Sequence, residues 1–95
     1  MNQIDLQQRV AIITGGAQGI GFAVARRMLA SGAAVALWDI DAARLEQAHA
    51  SLADHGTVTS QVVELSDEAS VAAATAATLA SHGRIDILVN NAGIT

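Results

Sequence analysis

The chain has 95 residues, 52% of them hydrophobic and 15% charged, which excludes a disordered polypeptide and leaves one small domain or a piece of a larger one. Its formal net charge is −4, it has no lysine, and Arg9, Arg26, Arg27, Arg44 and Arg84 form no basic stripe, which argues against a nucleic-acid partner. With no cysteine there are neither disulfides nor thiolate metal sites, and the longest apolar run, 33–38, is too short to span a bilayer.

Residues 1–8 carry Asp5 and lack the basic and apolar regions of a signal peptide, and a reducing cytoplasm fits the composition. Residues 9–14 read as the first strand. Thr14-Gly15-Gly16-Ala17-Gln18-Gly19-Ile20-Gly21 then reads as a glycine-rich turn opening a helix. That order makes an anion site, because the unpaired N–H groups of the first turn and the positive end of the macrodipole face the ligand. Gly15 allows the sharp turn, Gly19 has no Cβ to block a pyrophosphate, and Gly21 lets the helix pack close to the sheet. The helix is predicted over 19–30, with Ile20, Val24 and Met28 on one face, Arg26 and Arg27 toward solvent, and Gly32 as its stop.

Residues 33–39 are predicted as a second, buried strand ending in an acid. Trp38 reads as sheet core, with an adenine-side contact as the alternative. Asp41 stands where an N-cap belongs, before a helix with Leu45, Ala48, His49 and Leu52 at helical spacing and Gly56 at its end. Residues 57–65 have strand chemistry, with β-branched Val58, Thr59, Val62 and Val63. Ser66 is the next expected cap, with Asp67 and Glu68 favourably set against the dipole of a helix from 67 to about 82. Val71, Thr75 and Leu79 form its stripe, and Gly83 closes it. A fourth strand, 85–90, runs into Asn91-Ala92-Gly93.

Strands alternating with helices call for a parallel sheet with right-handed crossovers and helices on both faces. No linker interrupts the chain. The ligand then belongs at the carboxyl ends of the strands, where the glycine loop, Asp39, Glu64-Leu65 and the Asn90-Asn91 turn fall together. Asp39 comes 24 residues after Gly15. A carboxylate there can accept hydrogen bonds from the adenosine ribose hydroxyls and repel a 2′-phosphate. A solvated turn acid beside Asp41 is the alternative. Gln18 supplies no positive charge to the loop, so NAD is favoured over NADP. His49, His55 and His82 show no metal-site spacing, and no metal ligand is assigned.

Thr14-Gly15-x-x-x-Gly19-x-Gly21, Asp39 and Asn90-Asn91-Ala92-Gly93 together resemble the N-terminal half of a classical short-chain dehydrogenase/reductase, in order and over residues 9–95. The resemblance implies an α/β fold, a Rossmann-type doubly wound parallel sheet in three α/β/α layers, truncated after its fourth strand, with strand order 3-2-1-4. Residues 1–95 are then the N-terminal part of a single NAD(P)-binding domain. It implies cofactor contacts at Gly15, Gln18, Gly19, Ile20, Gly21, Asp39, Asn90, Ala92 and Gly93. The family commonly shows Asp before an apolar residue at the end of the third strand. Here the pair is Glu64-Leu65, so adenine is expected against the Glu64 carboxylate or the Leu65 backbone, a surface acid being the alternative for Glu64.

In this family a Tyr-x-x-x-Lys pair, an upstream serine and an asparagine carry the proton chemistry of an alcohol/carbonyl substrate while hydride moves to or from the nicotinamide. The chain has neither tyrosine nor lysine, so no catalytic residue is assigned, and residues 1–95 alone are expected to be inactive. The chain is therefore expected to be incomplete. Its edge strand at 85–90 would be completed by the remainder of its own polypeptide or by a partner chain, and the resemblance implies a homo-oligomer, a tetramer or a dimer. The expected function is an NAD(P)-dependent oxidoreductase interconverting a secondary alcohol and a ketone, seen as its cofactor-binding half. The alternative is a non-catalytic dinucleotide-binding fragment or module.

Overall fold

The apolar runs of the first two strands are central in the sheet because helices cover both their faces. The structure, a computed structural model, describes residues 6–91. In chain order the elements are β1 (Val10–Thr14), α1 (Gly19–Ala30), β2 (Ala34–Asp39), α2 (Ala42–Leu52) with a short 3-10 turn (Ala53–His55), β3 (Val58–Val62), α3 (Glu68–His82) and β4 (Ile87–Asn90). The sheet is parallel throughout, with order β3-β2-β1-β4. Its register pairs Thr14 with Trp38 and Asn90, and Asp39 with Val62, so the carboxyl ends of all the strands meet at one edge.

Alternation along each strand sorts the core into two layers. Ala11, Ile13, Val35 and Leu37 face α1 and α2, where Ala25, Leu29, Leu45, Ala48 and Leu52 are buried. Ile12, Ala36 and Trp38 face the other way, onto Val63 and Ala74, with Val71 and Ile85 against them. Helices on both faces complete the expected three-layer Rossmann-type arrangement. The outer strands are less covered: Ile87 and Val89 in β4 are half-buried and Leu88 is exposed.

Several expected details shift, each for a local reason. The fully buried residues of α1 are Gly21, Ala25 and Leu29, while Val24 and Met28 of the expected stripe pack half-buried against the same core and Ile20 is exposed. A Cβ on Gly21 would lie 2.1 Å from the Gly15 carbonyl oxygen, so the residue without a side chain must face the loop, and that rotation turns Ile20 outward. In α3 the buried residues are Ala74 and Thr78, while Leu79 is exposed. The small Ala74 packs with Trp38, and the Trp38 indole N–H donates to Thr78 Oγ1 at 3.3 Å.

The N-cap of α3 is Asp67, whose Oδ1 accepts from the N–H of Ala69 (3.0 Å) and Ser70 (3.4 Å). Ser66 instead donates its hydroxyl to Glu64 Oε1 at 2.7 Å. β3 ends at Val62 because the chain turns soon after it: Glu64 N–H donates to Ser70 Oγ (3.0 Å) and its carbonyl accepts from Asp67 N–H (3.0 Å). β4 begins at Ile87 because Asp86 pins the chain ahead of it. Its carboxylate accepts from Val10 N–H at 2.8 Å, and its own N–H donates to the Val10 carbonyl at 2.9 Å.

Candidate functional site

The loop after β1 takes its shape from left-handed backbone at Gly15 (φ 64°) and Gly19 (φ 59°), conformations that favour residues without a Cβ. Its other atoms are tied down on three sides. Gly16 N–H donates to the Trp38 carbonyl at 3.3 Å, and Ala17 N–H to Asp39 Oδ2 at 3.2 Å. Asn91 Nδ2 donates to the Gly15 carbonyl at 3.4 Å. Thr14 Oγ1 accepts from Asn91 N–H at 2.8 Å and lies 3.2 Å from Asn90 Oδ1, joining the end of β1 to the end of β4.

Gln18 occupies the N-cap of α1 without a side-chain cap, and the first turn holds no acid. The start of the helix therefore presents N–H groups and partial positive charge toward the loop mouth. A Cβ on Gly19 would meet nothing within 4 Å, so this residue opens onto free space. That space is a cleft of about 580 Å³ lined by the loop and by the ends of β2 and β3.

The fold brings Gly15, Gln18, Gly19, Ile20, Asp39, Glu64 and Leu65 together in the lining of this cleft. Gly21 lies behind the loop rather than on the cleft surface, and Asn90 is engaged with Thr14. Ala92 and Gly93 lie outside the described residues. Trp38, Ile40, Val63 and Asn91 also line the cleft, Trp38 thereby serving both as buried sheet core and as part of the wall where an adenine-side contact was the alternative. Trp38 and Ile40 flank Asp39, Val63 precedes Glu64, and Asn91 belongs to the Asn-Asn-Ala-Gly turn, so adjacency in the chain is the signal that marks them.

Asp39 is oriented by two backbone donors, Ala17 N–H to Oδ2 and Asp41 N–H to Oδ1 at 3.0 Å. Beside it, Ile20, Ile40 and Leu65 are exposed at 63%, 61% and 42%, an apolar rim suited to a flat aromatic ring. Glu64 lines the cleft with its carboxylate turned onto the following residues, Oε1 accepting both the Ser66 hydroxyl and the Ser66 N–H (3.2 Å). Those bonds, the hydroxyl first, hold its carboxyl below the usual carboxylate range. No helix among the described residues is long and apolar enough to cross a membrane.

Residues 9–95 match the family model described as short chain dehydrogenase. A similar protein is the 2-dehydro-3-deoxy-L-rhamnonate dehydrogenase (NAD(+)) of a Sphingomonas species, 45% identical over 92% of this chain and 34% of that protein. Among solved structures, 3-ketoacyl-(acyl-carrier-protein) reductase from Brucella melitensis, complexed with NADH, superposes with a TM-score of 0.83 at 36% identity, covering 88% of this chain and 34% of that one. A metagenomic short-chain oxidoreductase in complex with NADP gives 0.85 at 40% identity, covering 94% and 41%. The chain thus spans about a third of the length of the relatives it matches.

Proposed function

The chain belongs to the short-chain dehydrogenase family, and we propose that it is the cofactor-binding part of an NAD(P)-dependent oxidoreductase that interconverts a secondary alcohol and a ketone. The observation that carries this reading is the cleft itself. An uncapped helix start, a glycine whose missing Cβ opens onto the cavity and a doubly oriented carboxylate stand side by side at the carboxyl ends of the strands. These residues suit a dinucleotide: the Gly15–Gly19 turn and the α1 N-terminus for the pyrophosphate, Asp39 for the adenosine ribose, and Ile40 and Leu65 for adenine. When bound, the nicotinamide supplies or accepts the hydride.

We assign Gly15, Gln18, Gly19, Ile20, Asp39, Glu64 and Leu65 as contacts, with Gly21, Asn90, Ala92 and Gly93 supporting the site or extending it. NAD is the preferred cofactor, because the Asp39 carboxylate suits free ribose hydroxyls and opposes a 2′-phosphate. The substrate is a small alcohol or carbonyl compound, the setting cytoplasmic and the assembly a homo-oligomer. A second reading, a dinucleotide-binding module without turnover of its own, draws on the lack of tyrosine and lysine in this chain. Titration of NADH and NADPH, followed through the lone tryptophan, Trp38, tests the assignment. Tighter binding of NADH, lost in Gly19→Val and relaxed toward NADPH in Asp39→Ala, is the expected result. Tighter binding of NADPH by the unmodified chain would refute the NAD preference.

A further inference from the structure

The loop carries no cation of its own, yet the fold brings one beside it. Arg44 lies 26 residues from Gln18 in sequence, and its Nη1 donates to Gln18 Oε1. Its Nε stands 3.3 Å from Asp41 Oδ2, while Asp41 Oδ1 accepts the Arg44 backbone N–H at 3.1 Å as the N-cap of α2. Asp41 N–H donates to Asp39 Oδ1, and Asp39 Oδ2 accepts from Ala17 in the loop. The contacts close a ring through the glycine loop, the end of β2 and the start of α2. The guanidinium therefore stands one hydrogen bond from a side chain that lines the cleft.

We propose that Arg44 is a masked cation beside the ribose corner of the dinucleotide site, and that Asp41 keeps it from recruiting a 2′-phosphate. Discrimination between the two dinucleotides then rests on Asp41 as well as Asp39. The inference depends on the dinucleotide reading above. Guanidinium is the side-chain group best matched to phosphate, because its planar donors bind two oxygens at once. Here its Nε is paired with the Asp41 carboxylate at 3.3 Å and its Nη1 donates to Gln18. Asp39, Asp41 and Arg44 together carry one net negative charge, so removing the Asp41 carboxylate neutralises the corner and frees the guanidinium of its ion-pair partner. One unit charge at ~4 Å in water corresponds to about a fivefold change in affinity. A phosphate near −2 enlarges that effect and salt reduces it, so roughly a tenfold gain is expected at low ionic strength.

The experiment titrates NADH and NADPH separately into the full chain, following Trp38 fluorescence, in the parent, Asp41→Ser, Arg44→Gln and the double variant. Serine keeps a capping oxygen at the start of α2, and Asp41→Asn makes the same charge change with another good cap should the serine variant fold poorly. Thermal unfolding confirms that each variant is folded. The expected result is about tenfold tighter NADPH binding in Asp41→Ser, a gain that shrinks with added salt and disappears in the double variant. No gain, or a gain that survives Arg44→Gln, overturns the proposal, the latter because loss of an acid alone would then explain it. A parent that binds neither dinucleotide would remove the cofactor reading beneath it, a result distinct from NADH binding with unchanged NADPH affinity.

Discussion

Replacing Gly21 by alanine sets two effects against each other, and the geometry decides which wins. Inside a helix, glycine to alanine is favourable by about 1 kcal/mol, because glycine loses more backbone freedom on folding. At this position the added Cβ would lie 2.1 Å from the Gly15 carbonyl oxygen, 2.8 Å from its carbonyl carbon and 2.7 Å from Asn91 Nδ2. The oxygen is more than an ångström inside ordinary contact, and it is backbone, so no rotamer change relieves the clash. The loop must shift, and with it the Ala17 N–H bond to Asp39. Overpacking against a rigid neighbour costs about 3 kcal/mol. The net effect is then a loss of about 2 kcal/mol, or roughly 10 °C in Tm for a domain of this size. Thermal unfolding followed by far-UV circular dichroism measures it. Gly19→Ala is the control: it meets no atom within 4 Å and pays only for its left-handed φ of 59°, about 1 kcal/mol. A Gly21→Ala protein as stable as the parent, or more so, would refute the close-packing argument.

The acid limb of stability is expected to depend on Asp86, which hydrogen bonds from Arg84 and then from Val10 N–H lower from 3.8 to about 2. A carboxyl lowered in the fold contributes stability above its unfolded value and loses it as pH falls from 3.8 toward about 2, so Tm against pH should be flatter there in Asp86→Asn; parallel curves would count against the ion pair. Burial pushes His82 below its usual 6.5, so the fold favours the neutral ring, and stability should fall as pH drops below 6.5 and be unaffected above it. His82→Gln should flatten that slope while keeping a partner for Thr59 Oγ1, now 2.8 Å from His82 Nε2; an unchanged slope would assign the dependence to another group. Thr78→Val removes the acceptor of the Trp38 indole N–H with little change in side-chain shape and should cost about 1–3 kcal/mol by thermal unfolding, because the buried donor is left unpaired, whereas no loss would mean that bond contributes nothing net.

Much of the fold was legible because it depends on local chemistry. The continuous apolar runs of β1 and β2 mark strands covered on both faces, and the glycine turn marks the start of α1 to the residue. Alternation of strand and helix carries the parallel sheet and, through the resemblance, its order. The loop residues and Asp39 were readable for the same reason, since each is the type its backbone position or proposed ligand demands. What sequence periodicity left open was helix rotation. Residues 20, 24 and 28 fit the inward face of α1 as well as 21, 25 and 29 on spacing alone; Val24 and Met28 do pack half-buried on the core, and the approach of Gly21 to Gly15 puts the second set fully inside and turns Ile20 out. In α3 a run of alanines offers little amphipathic contrast, so packing against Trp38 and its bond to Thr78 settle which side faces in. Arg44 shows the same division. Its spacing from Asp41 is a local helix property visible in the chain, but its meeting with Gln18 requires β2 to pair with β1 and carry the start of α2 to the glycine loop. Contacts between segments distant in sequence are decided by that pairing, which is why the meeting of Arg44 with the glycine loop belongs to the tertiary structure alone.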